Sequence, residues 1–203
     1  MKLFASKLIL HPEAQMRLRV RDRYSLHRVV MDLFEPSRRI ADSSGSQPSG
    51  IQWVDRGEHL AGREILILSD RMPKEQKLPE DVQLATKPIA ESFLHHATYR
   101  FAATVNPVIT EGGRRVGLTN RGQILSWFND RARTNGFRIE TIEISHIGIE
   151  RFQKEDHRVS FARADVSGIL SVLDQQAFIR CFARGIGKGR AFGFGFLQIS
   201  IFR

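Results

Sequence analysis

The chain has 203 residues, 31 Lys plus Arg against 22 Asp plus Glu, a formal net charge of +9 and a single cysteine. That length holds one domain or two small ones, and the lone Cys181 excludes an internal disulfide and a cysteine-based metal cluster. The positive surplus, carried more by arginine than by lysine, points to a polyanionic partner, either nucleic acid or an acidic membrane surface, because guanidinium forks match phosphate.

Lys2–Leu10 alternates apolar and polar residues and is expected to be a strand. The opening segment is too short and too interrupted for a signal peptide or a membrane span, so a reducing, cytoplasmic setting is expected. Pro12–Arg21 reads as a polar connection. Asp22 is a natural N-cap, and Leu26, Val29, Val30, Leu33 and Phe34 follow at i, i+3, i+4, i+7 and i+8, which predicts a helix stopped by Pro36. Asp42–Gly50 (D-S-S-G-S-Q-P-S-G) has almost nothing to bury and is expected to be a mobile loop. Ile51–Asp55 and Arg63–Ser69 read as strands, Arg71–Asp81 as a polar link, and Leu84–Phe93 as a strand that Pro88 confines to a sheet edge.

The second half repeats this order. Thr98–Ile109 reads as a strand and Arg114–Leu118 as a basic hairpin arm. Asn120 with Gln123 is a capping pattern for a helix with Ile124, Leu125, Phe128 and Ala132 on one face, ended at Asn135–Gly136. In Phe137–Ile149 the apolar alternation slips by one residue, as at a bulge. Glu150–Arg158 looks like a charged hairpin tip, and Val159–Val172 like the returning strand. Asp174 caps a helix carrying Phe178, Cys181 and Phe182, and Gly185 ends it. The predicted class is therefore α+β, as two tandem ferredoxin-like (RRM-like) βαββαβ domains, residues 1–94 and 95–203.

Two stretches carry candidate chemistry. In Gly185–Phe196 (G-I-G-K-G-R-A-F-G-F-G-F), Gly185, Gly187 and Gly189 permit positive φ and close backbone approach, and Lys188 and Arg190 add charge, so phosphate is a natural guest. A tight helix-to-strand turn is the plainer reading. The nucleotide-loop spacing is missing, since Gly189 rather than Ser or Thr follows Lys188. The alternation after Arg190, if extended, puts Phe192, Phe194 and Phe196 on one strand face. The other stretch is the first helix, where Tyr24 and His27 are spaced i, i+3 and can converge, with Arg23 and Arg28 beside them. An imidazole, a phenol and two guanidiniums at one helix end suit phosphodiester chemistry, although a histidine at a helix edge is often only a boundary residue. None of His59, His95, His96, His146 and His157 lies near a Ser or Cys arrangement that would make a nucleophile. Without a protein nucleophile or a metal, the simplest route borrows the RNA 2′-hydroxyl.

D-R-Y-S-L-H-R-V-V-M-D-L-F-E-P (Asp22–Pro36), Y-R-F-A-A-T-V-N-P-V (Tyr99–Val108) and G-I-G-K-G-R-A-F-G-F-G-F-L (Gly185–Leu197) come in this order. The chain resembles, over its whole length, the CRISPR-associated CasE-type endoribonucleases. The resemblance implies metal-independent, cofactor-free cleavage of precursor CRISPR RNA in the repeat stem-loop, leaving a 2′,3′-cyclic phosphate and a 5′-hydroxyl. It implies Tyr24 and His27 as catalytic residues and Gly185–Gly195 as the family's glycine-rich loop. It assigns the stem grip by position to Arg114, Arg115, Arg151, Lys154 and Arg158. It also implies that the product stays bound and joins a multi-subunit effector complex. The rival readings are a stem-loop-binding subunit that does not cut and a small-molecule ferredoxin-like enzyme or regulator. The basic charge and the lack of a cofactor fingerprint weigh against the second.

Overall fold

The computed structural model describes residues 2–36, 49–74, 77–154 and 157–202. The first half contains β1 (Phe4–Leu10), α1 (Pro12–Arg17), α2 (Arg23–Asp32), β2 (Ile51–His59), β3 (Gly62–Ser69) and β4 (Val82–Pro88). Its strands form one antiparallel sheet in the order β2-β3-β1-β4. In β1, Phe4, Ser6, Leu8 and Leu10 face inward by the two-residue period of a strand. Leu26 and Val30 of α2, fully buried, pack on Leu8, Leu10, Trp53, Ile65 and Ile67. Burial of such a side chain stabilises by about 1.5–3 kcal/mol, which fixes the face that α2 turns to the sheet.

The second half contains β5 (Thr98–Val105), β6 (Val108–Glu111), β7 (Arg114–Gly117), α3 (Arg121–Thr134), β8 (Phe137–Lys154), β9 (His157–Val172), α4 (Gln175–Arg184) and β10 (Gln198–Ile201). Its sheet runs β10-β5-β9-β8, the same ferredoxin-like order, and β6-β7 forms a separate ribbon inserted before α3. Trp127 of α3 donates from Nε1 to the Val108 carbonyl at 3.0 Å and ties the ribbon down. A third apolar cluster joins the halves: Leu3, Val54, Leu68 and Leu94 meet Phe182 and Phe196. Among the described residues no helix is long and apolar enough to cross a membrane.

Several expectations need correction. Pro12–Arg21 is not merely a connection: Pro12 starts α1, and Ala14 anchors it in the core. The strand expected over Thr98–Ile109 breaks at Asn106–Pro107, where proline cannot donate to the ladder. The hairpin is longer than read, because β8 and β9 stay paired out to Lys154 and His157, so Glu150 is a strand residue. The slip in β8 is real and occurs twice, between Ile139 and Thr141 and between Ile144 and His146. The phenylalanine–glycine run is not a strand. Gly193 and Gly195 sit at φ 76° and 79°, in the left-handed region, and the last strand begins only at Gln198. The loop expected at Asp42–Gly50 lies, up to residue 48, outside the described residues.

Candidate active site

The site is built on the first turns of α2. The Asp22 carboxylate accepts the Ser25 backbone N–H at 2.8 Å, and Ser25 Oγ accepts the Asp22 N–H at 2.9 Å. This reciprocal cap fixes where the helix starts. With Leu26 and Val30 held in the core, Tyr24 and His27 emerge together at the edge of the buried stripe, both half-buried. Their ring centroids lie 6.5 Å apart with planes 21° from parallel.

Phe192, from the glycine-rich segment, meets His27 at 5.6 Å between centroids. Phe192 is itself held by Phe152 of β8 at 4.9 Å and Phe161 of β9 at 5.7 Å. The other half of the molecule thus supplies an aromatic wall for the imidazole. Burial pulls the His27 pKa below its ordinary value. The Ala191 carbonyl opposes this by favouring the charged ring, the Lys154 charge adds to the lowering, and Asp32 opposes it weakly. His27 Nδ1 is buried and has no hydrogen-bond partner among the described residues. The Ala191 carbonyl already accepts from Trp53 Nε1 at 3.0 Å. A neutral imidazole beside a lysine is suited to take a proton.

Arg23 does not do what its neighbours suggested. It is 4% exposed, and its Nε lies 2.6 Å from Glu150 Oε1 of β8. Its Nη1 donates to the carbonyls of Phe192 at 3.1 Å and Gly193 at 3.3 Å, and its guanidinium lies 4.4 Å from the centre of the Phe194 ring. The expected phosphate contact is corrected to a clamp between the two halves. Glu150 also meets Arg163 at 3.4 Å, and Arg163 continues to Asp165, which accepts from Thr104 Oγ1 at 2.7 Å.

The remaining basic residues lie at the surface. Arg28 is exposed on α2, Arg151 and Lys154 on β8, and Arg158 on β9. Arg114 and Arg115 are exposed on β7. A Cβ on Gly117 would come within 2.9 Å of the Ala162 methyl, so the ribbon sits against β9, beside the long hairpin. The only one of these charges shown to act on His27 is that of Lys154.

The glycine segment has two parts. Gly185 is the cap of α4, and a Cβ there would lie 2.3 Å from Gln52 Oε1; Gln52 in turn donates to the Phe182 carbonyl at 2.8 Å. The N–H groups of Ile186, Phe192, Gly193, Phe194 and Gly195 are all spent on backbone carbonyls. Those of Gly187, Lys188 and Gly189 have no protein acceptor among the described residues, and the Lys188 side chain is exposed. Arg190 Nη1 donates to the Arg184 carbonyl at 2.8 Å, which holds that guanidinium against the end of α4.

Sequence reasoning missed Phe192 as a site residue and missed Glu150, Trp53 and Ala191 entirely. Phe192 lies in the run G-I-G-K-G-R-A-F-G-F-G-F, whose phenylalanine–glycine alternation has the spacing of a strand and hides a residue that turns toward His27. Glu150 carried no local signal, because its partner is far away in the chain.

A sequence family described as "CRISPR associated protein" matches residues 3–200. The chain is 21% identical over 216 residues to the CRISPR-associated endoribonuclease Cse3 of Thermus thermophilus, covering 98% of this chain and 100% of that one. Its fold is similar to Thermus thermophilus Cse3 bound to an RNA representing a pre-cleavage complex, with a TM-score of 0.83 at 21% identity over 99% and 100% of the two chains. It is also similar to a chain of a CRISPR RNA-guided surveillance complex in a pre-nicking state, with a TM-score of 0.70 at 16% identity over 98% and 100%.

Proposed function

This chain belongs to the CRISPR associated protein family, and from that premise we propose that it is a metal-independent endoribonuclease of the CasE type, cutting precursor CRISPR RNA within the repeat stem-loop. The observation that carries the reading is the Tyr24–His27 pair, its rings 6.5 Å apart, closed by Phe192 from the opposite half. The chain's likeness to an endoribonuclease solved with RNA supports it.

His27, neutral in the free protein, takes the proton of a ribose 2′-hydroxyl as that oxygen attacks the adjacent phosphorus. The P–O bond to the 5′-oxygen breaks. That oxygen leaves hydrogen-bonded to the Tyr24 phenol and gains a proton from water. The products are a 2′,3′-cyclic phosphate and a 5′-hydroxyl. Lys154 and Arg28 stabilise charge on the phosphorane. The free N–H groups of Gly187–Gly189, with Lys188, hold a neighbouring phosphate. Arg114, Arg115, Arg151 and Arg158 grip the stem.

Residues 1–94 supply the reacting pair, and residues 95–203 supply the wall and the grip. The product stays bound in the cytoplasm and brings the subunit into a multi-subunit complex, a role supported by the likeness to a surveillance-complex chain.

The test is incubation with repeat RNA in EDTA, followed by analysis of the product ends. Cleavage is expected, and a 2′-deoxy nucleotide at the cut abolishes it. Continued cutting of that RNA rules out attack by the substrate's own hydroxyl. Tight, salt-dependent binding without product instead identifies a non-cutting stem-loop subunit.

A further inference from the structure

Beside the start of α2 lies an open groove of 580 Å³ that the reading above does not use. It is lined by Pro12, Gln15 and Met16 of α1, Arg19 and Arg21 of the link to α2, and Glu58 of β2. Its size falls in the range of small-ligand sites.

The link is unusual. α1 ends with Val20 N–H donating to the Gln15 carbonyl at 2.9 Å and Arg19 N–H to the Met16 carbonyl at 3.1 Å, the paired bonds of a Schellman motif. The residue at its left-handed position is Arg19, at φ 52°, the one non-glycine residue with positive φ among those described. Glycine fits that position without steric cost. An arginine held there against backbone preference points to a use for its side chain. Arg19 and Arg21 are both exposed, and neither has an ion-pair partner among the described residues; nearby Arg17 is paired with Asp81 at 2.5 Å.

We infer that this groove is a subsite for an unpaired nucleotide flanking the stem, with Arg19 and Arg21 on its phosphates and its base over Pro12 and Met16. This rests on the endoribonuclease reading. Two free guanidiniums supply the anion contacts. Met16, 73% exposed, and the Pro12 ring offer an apolar floor for a base face. Glu58 Oε2 accepts from Gln15 Nε2 at 3.2 Å, so the rim presents a carboxylate and an amide to the base edge. A carboxylate only accepts, so it favours bases with an exocyclic amino group and disfavours uracil, whose exocyclic groups are acceptors. Arg21 precedes Tyr24 by three residues, at most about 11 Å of chain, so an RNA strand passing the reacting pair continues into the groove.

The test compares Arg19→Gly with Arg21→Ala and with the double variant. Arg19→Gly is the informative one, because glycine suits φ 52° and the variant folds at least as stably as the parent. Binding is measured with three uncleavable 2′-deoxy RNAs: a bare repeat stem-loop, one with a single-stranded 5′ flank, and one with a 3′ flank. The double variant is expected to bind one flanked RNA about tenfold more weakly and to lower its salt slope by about 1.4, the value for two single-strand phosphate contacts, while the bare stem-loop is unaffected. Replacing the flanking nucleotides by uracil reproduces part of the loss in the parent. Unchanged affinity for both flanked RNAs, or an equal loss on all three, overturns the subsite and leaves the endoribonuclease reading standing if the parent still cuts. If the parent neither cuts nor binds repeat RNA, both fall together.

Discussion

Replacing Glu150 by alanine strips the counter-charge from a buried cation. Arg23 keeps only 5% of its side chain in solvent, so it cannot recover hydration without moving α2 or the glycine segment. Breaking a buried pair by removing one partner costs about 3–5 kcal/mol. The lower end applies here, because Glu150 is 26% exposed and the Phe192 and Gly193 carbonyls still accept from Arg23 Nη1. Arg163, the other partner of Glu150, retains Asp165 at 2.8 Å and adds little. A loss of about 3 kcal/mol corresponds to a fall in Tm of about 6–12 °C for a chain of this size. Differential scanning calorimetry reads that directly. Cleavage at a temperature where the variant is still folded falls too, because the clamp sets the distance between His27 and Phe192. The double variant Arg23→Met with Glu150→Leu removes both charges and recovers part of the stability, but not the cleavage. A Tm shift under about 2 °C for Glu150→Ala, or a double variant less stable than either single one, refutes the clamp.

Other outcomes follow from the same geometry. His27→Ala lowers the single-turnover cleavage rate by about 10²–10⁴-fold with Kd for the repeat RNA nearly unchanged. The His27 imidazole of the free protein titrates below the ordinary histidine range, seen by NMR, and moves up when uncleavable RNA places a phosphate beside it. Because its folded pKa is depressed, its contribution to stability is complete above the unfolded pKa and is lost as pH falls through the folded one, so His27→Gln flattens the acid side of the stability profile. Gly193→Ala places a Cβ 2.7 Å from the Trp53 ring and 2.9 Å from Arg23 Nη1 at φ 76°, and is expected to cost about 2–3 kcal/mol by urea titration. Cys181, 3% exposed with its thiol pushed up to about 12 by burial, resists alkylation in the native protein at neutral pH and reacts only on unfolding.

The element order was legible because its signals are local. Asp22, Asn120 and Asp174 each accept a backbone N–H three residues on, as a cap read from sequence should. The Leu26 and Val30 stripe points inward as its spacing required, and the same spacing brought Tyr24 and His27 to one edge. Two misjudged features depend on φ values or on distant partners. The run Phe192–Phe196 has a strand's spacing, but Gly193 and Gly195 take the left-handed conformation, and the chain turns instead of extending. The role of Arg23 was hidden because its carbonyl acceptors stand 169 and 170 residues away. No pattern within one helix distinguishes an arginine bound for solvent from one bound for an interface.

The contact between His27 and Phe192 ties an early segment of the chain to a late one. During synthesis on the ribosome, α2 and its sheet emerge long before the glycine segment does. Until then the imidazole lacks its wall, and Arg23 lacks its two carbonyl acceptors. A nascent or prematurely terminated polypeptide therefore presents the phenol and imidazole without Phe192 beside them, and the pair is enclosed only once translation has passed the glycine segment.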